Sequence, residues 1–170
     1  MKVLIVILSL LLLCACQSSQ VNLTHKLEQS PVAAVDYGAC DLYLHEFDNL
    51  VTQADVGTVA RTQVDIDVAK WATLSLQRAN ISSENVKDYQ LKVTLLKSYI
   101  RSVHTSMVAN VVFKVEHRHG TEDVYQAPQY FRGKAVSTNW ASGEGELFET
   151  LSEAMDNALI KLKRHYSEGC

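Results

Sequence analysis

Cysteine carries the clearest chemistry in this chain, because a thiolate is both a nucleophile and a metal ligand. Residues 13–16 read Leu13-Cys14-Ala15-Cys16, directly after an apolar run over residues 3–13 that only Ser9 interrupts. An apolar residue three places back, a small residue just before, and then the cysteine resembles a bacterial lipobox, a likeness that implies a diacylglycerol thioether on the cysteine sulfur. Cys16 fits that register. Cys14 does not, since Leu13 would fill its small-residue position. The competing reading is an ordinary signal peptide that happens to contain a cysteine.

The run itself is too short for a permanent membrane span, which needs about 20 apolar residues. Residues 1–15 therefore read as a cleaved lipoprotein signal, leaving Cys16 as an acylated N-terminus. More than one acyl chain, at about 0.8 kcal/mol per buried methylene, holds a protein on a bilayer stably. Gln17 stands where an inner-membrane retention aspartate is expected, which favours the outer membrane. In such a compartment the Asn22-Leu-Thr and Asn80-Ile-Ser glycosylation patterns carry no meaning.

Cys40 and Cys170 remain. In an oxidising compartment they are the obvious pair for a disulfide joining the first strand to the C-terminal end. Two unpaired thiols, or an intermolecular bridge through Cys170, are the alternatives. His104, His117 and His119 invite a metal site, but no third ligand has a fixed spacing to the His117-Arg-His119 pair. They read as solvated turn residues, so no metal is expected. Gly143 and Gly145 precede a helix and could cradle an anion, but Glu144 and Glu146 would repel phosphate there. Ser142 lies in no nucleophile motif. No cofactor and no catalytic residue is expected, and the chain does not read as an enzyme. Tyr125, Tyr130, Phe131 and Trp140 are the aromatic candidates for a contact surface.

The elements that would position these residues form one domain. With 170 residues there is room for a single core. Once Lys2 leaves with the leader, about four net negative charges remain, too few cations for nucleic-acid binding. Residues 17–34 are polar and weakly periodic and read as a flexible tether. Residues 35–170 read as a periplasmic α+β domain. Cys40, Leu42 and Leu44 alternate as a first strand. Val64, Val68, Trp71, Ala72 and Ala79 recur at helical spacing, although the VDIDV at the start also alternates. Leu91, Val93 and Leu95 mark a second strand, and Val111, Phe113 and Val115 a third. A hairpin tip falls at HRHGTED, and a last strand covers residues 130–138, where Gly133 signals a bulge or a close contact. Leu147, Leu151, Ala154, Met155, Ala158 and Leu162 form the stripe of a final helix, with acids at its start and bases at its end. The expected fold is α+β, a mainly antiparallel sheet of about four strands with two helices packed on one face.

The stretches DYQLKVTLLKSYI and YFRGKAVSTNWASGEGELFETLSEAMDNALIKL, together with the lipobox, resemble the YajG-like family of small envelope lipoproteins. That resemblance implies a membrane-anchored periplasmic domain with no described active site, and it carries over only Cys16. The expected role is binding to an envelope protein or other envelope component, with the membrane itself engaged through acyl chains on Cys16. The alternative is an accessory subunit of an envelope transport or assembly complex, similar to auxiliary lipoproteins of ABC transporters.

Overall fold

The computed structural model describes residues 19–29, 35–37, 41–59, 62–84, 89–120, 122–138 and 143–167. Two sheets share one hydrophobic core. The larger is built from β2 (Leu42–Asn49), β5 (Ile81–Ser82), β6 (Tyr89–Val103), β7 (Ser106–His119) and β8 (Gln129–Ser137), in the order β5-β2-β6-β7-β8. The smaller is built from β1 (Ser19–Asn22), β3 (Thr58–Val59) and β4 (Thr62–Asp65), in the order β1-β4-β3.

The alternating pattern of β6 and β7 produces a long antiparallel hairpin, registered from Tyr89↔His119 to Val103↔Ser106. Its tip is the two-residue turn His104-Thr105, with His104 in the left-handed region at φ 55°. Leu91, Val93, Leu95, Val111, Phe113 and Val115 are all fully buried on the inner face. A register shift between Leu95 and Lys97 lets Ser98 and Ile100 take over that face.

Four expectations change. The main sheet is mixed, with five strands, because β2 runs parallel to both β5 and β6. Between β2 and those strands the chain crosses through the small sheet and a helix, a connection long enough for parallel pairing. The helix expected from Val64 begins at Val68. Residues 62–65 pair instead as β4, and Asp67 caps the helix α2 (Val68–Arg78) by accepting the Lys70 backbone N–H at 3.0 Å. His117 and His119 lie within β7 rather than in a turn, opposite Leu91 and Tyr89. Residues 19–29, assigned to the tether, form β1 and the short helix α1 (Lys26–Gln29). Val21 pairs with Val64, and Leu23 is buried, so this segment is held by sheet pairing and by the core.

The final helix, α3 (Glu144–Ser167), buries Leu147, Leu151, Ala154, Met155, Ala158 and Leu162, as the stripe predicts. Burying a leucine side chain contributes about 1.5–3 kcal/mol. Gly133 on β8 is the point of closest approach. A Cβ there would stand 1.8 Å from the Ala154 carbonyl oxygen and 2.6 Å from the Ala158 nitrogen. The small sheet meets β6 in the same manner. Gly57, at φ 97°, would put a Cβ 2.4 Å from the Ile100 oxygen. Both long helices contribute buried side chains to the one core, and they touch each other as well as strands of the main sheet.

β8 is an outer strand of that sheet. Two side chains one turn apart on α3 reach its backbone. Asn157 Nδ2 donates to the Lys134 carbonyl at 3.1 Å, and Lys161 Nζ donates to the Arg132 carbonyl at 2.7 Å. Among the described residues no helix is long and apolar enough to cross a membrane.

Candidate functional site

Cys16, Cys40, Cys170 and Trp140 lie outside the described residues. The other aromatic candidates separate. Phe131 turns inward, is 8% exposed, and packs against the His165 and Tyr166 rings of α3 at 5.6 and 5.9 Å. It belongs to the core and not to a contact surface, because strand alternation sends neighbours to opposite faces. Tyr130, next to it, is 62% exposed on the outer face. Tyr125 lies beneath the Arg118 guanidinium, whose carbon is 5.1 Å from its ring centroid, and 6.2 Å from the His45 ring.

That outer face is where charged side chains converge. Cross-strand register places Lys92, Lys97 and Arg101 of β6 beside Glu116, Val112 and Val108 of β7. Lys114 of β7 stands opposite Thr94 and Tyr130, and Arg118 opposite Gln90. Arg132 and Lys134 of β8 complete the row, with Val136 opposite Val108. Three carboxylates share the face: Glu116, and Glu46 and Asp48 on β2. Among the described residues of these strands, seven cations against three carboxylates leave a surplus of four positive charges, on a chain whose formal net charge is −3.

The two arginines are oriented by neutral partners. Arg132 donates from Nε and Nη2 to Asn110 Oδ1 at 3.1 and 2.6 Å. Arg118 does the same to Gln90 Oε1 at 2.9 and 2.7 Å. An amide oxygen fixes a guanidinium without neutralising it, so its charge stays available to an anion. By contrast Lys92 pairs with Glu46 at 2.8 Å, which holds its ammonium above the usual lysine range, and Lys114 pairs with Glu116 at 3.1 Å.

The inner polar groups serve the packing. Asp156 on α3 accepts from the Tyr37 hydroxyl at 2.5 Å and lies 3.6 Å from Arg78 of α2. Burial raises both the Asp156 carboxyl and the Tyr37 hydroxyl above their usual ranges. Beside them a cleft of about 210 Å³ is lined by Leu27, Trp71, Leu74, Arg78 and Phe148. At the far end of α3, the Tyr166 hydroxyl lies 3.4 Å from His117 Nδ1 and is pushed up to about 12 by burial. Burial, followed by the neighbouring His165, lowers the His117 imidazole. Among the described residues no three His, Cys, Asp or Glu side chains gather as metal ligands would.

Strand periodicity in the sequence signals which residues of each strand share a face. The cationic row became visible only with the pairing of β2, β6, β7 and β8, which no single strand encodes.

No family model matches the chain, and no curated protein matches it in sequence. Among solved structures it is similar to a DUF330 protein from Xanthomonas campestris, at 12% identity and a TM-score of 0.47, over 74% of this chain and 79% of that one. It is also similar to a minor lipoprotein from Acinetobacter baumannii, at 10% identity and a TM-score of 0.41, over 78% and 95%. A hypothetical protein from Chlamydia trachomatis is similar at 6% identity and a TM-score of 0.40, over 75% and 95%.

Proposed function

We propose that this chain is a lipid-anchored lipoprotein of the bacterial envelope, held at the outer membrane by acyl chains on Cys16, with a periplasmic domain that binds and does not catalyse. The observation that carries the reading is Leu13-Cys14-Ala15-Cys16 at the end of a short apolar run. The resemblance to the YajG-like family agrees with it. The fold suits such an anchor, since β1 begins at Ser19, only three residues after Cys16. Three residues reach about 10 Å even at full extension, so the domain would lie close against the bilayer. A binding role is supported by where the polar groups go. Asp156 and Tyr37 hydrogen-bond to each other inside, with Arg78 beside Asp156, while the guanidinium groups of Arg118 and Arg132, held by amide oxygens, face outward.

Metabolic labelling with a clickable fatty acid tests the anchor. The wild-type chain is expected to label and to fractionate with outer-membrane density. Cys16→Ser is expected to lose both label and membrane association. Undiminished labelling of Cys16→Ser would overturn the assignment of the anchor.

A further inference from the structure

We propose that the outer face of the main sheet docks on the anionic phospholipid headgroups of the bilayer that holds the chain. Its geometry rests on the anchored reading, but its charge pattern stands by itself.

The first support is charge complementarity. A chain that is net acidic overall concentrates a four-charge cationic surplus on one sheet face. Phosphodiesters are the natural complement of that concentration of positive charge. The second support is the side-chain type. Tyr130, Val108 and Val136 stand among the cations, and Val136 and Tyr130 are 50% and 62% exposed. Aliphatic groups and tyrosine rings beside lysine and arginine suit the headgroup layer, where apolar bodies enter and charged ends stay wet. The third support is reach. The Debye length at physiological ionic strength is about 8 Å. A tether from Cys16 to Ser19 spans about 10 Å at most, so Ser19 stays within little more than one Debye length of the membrane. Each cation brought to an anionic surface then adds its own attraction. The amide-held guanidinium groups of Arg118 and Arg132 enter that field already oriented.

The test uses a chain beginning at Gln17, which contains both sheets, both long helices and the whole described core, and which has no cysteine to acylate at position 16. It is sedimented with phosphatidylcholine vesicles, with and without phosphatidylglycerol. Binding is expected only where phosphatidylglycerol is present, and it should weaken as salt rises. Lys97→Gln with Lys134→Gln removes two exposed cations of the face and should weaken binding about thirtyfold. Lys26→Gln with Lys70→Gln changes net charge equally, away from the face, and should leave binding within about twofold. No binding to phosphatidylglycerol vesicles, or equal binding to both vesicle types, overturns the proposal. So does an equal loss in the two double variants, since net charge alone would then account for it. Because this chain cannot be acylated at Cys16, its result is independent of the fatty-acid experiment. A failed face and a failed anchor are therefore told apart.

Discussion

His117 shows how one side chain converts packing into pH dependence. Its ring lies 5.1 Å from Tyr166 and 6.1 Å from Tyr89, with His119 and His165 nearby and Glu122 opposing them. Burial first, and His165 second, depress its pKa in the folded state. The folded chain therefore resists the proton that the unfolded chain accepts. Above about pH 6.5 both states are neutral and nothing is lost; as pH falls below that value, the unfolded state gains protons and stability declines until the depressed folded value is passed. The melting temperature is expected to fall between pH 7 and pH 5, and His117→Gln to flatten that decline by up to one proton's worth of slope. A variant with the wild-type slope would show that His117 is not its source. The sequence made the His117–His119 pair look like solvated turn residues because Gly120 and the polar residues after it are turn-forming. What hid their place was the length of β7, which runs through both histidines to pair with Tyr89. Phe131 was misplaced for a related reason. Aromatic character was visible, but facing depends on register, and register separates Phe131 from Tyr130.

The elements legible in the sequence were those with a long unbroken period. The stripe of α3 and the alternation of β6 and β7 needed no partner to be recognised, since one buried face repeats along each. Short elements were not legible. β4 and the start of α2 share the VDIDV stretch, and only the Asp67 cap decides where strand stops and helix begins. β1 has four residues and gains its identity from pairing with β4, some forty residues away. Parallel pairing of β2 likewise depends on a crossover and leaves no local mark. Gly133 was legible as an oddity, and contact between α3 and β8 explains it. The missing side chain lets helix backbone rest on strand backbone. Gly133→Ala must push α3 outward along the core stripe, and a loss of about 1–3 kcal/mol or more is expected in urea unfolding. Unfolding midpoints that match within error would show that the helix accommodates a methyl group there.

At the scale of the molecule, composition reports a mildly acidic domain, and the fold sorts its charges into a cationic sheet face and an acidic remainder. That sorting was absent from any linear reading, because it arises from four strands lying side by side. The same sheet ends in β8, a nine-residue outer strand. Free strand edges invite pairing with another chain, and charged side chains are one way proteins discourage it. Here Asn157 donates to the Lys134 carbonyl and Lys161 to the Arg132 carbonyl. Replacing both by alanine should leave the monomer folded yet shift it toward dimers and larger species in light scattering at high concentration. A variant that stays monomeric throughout would show that the edge is guarded by something else. Were the chain held on a membrane as proposed, neighbours would meet repeatedly at matching height and orientation, and an open strand would zip one copy to the next. Two helix side chains laid over those carbonyls act as a bumper, allowing crowding without fusion.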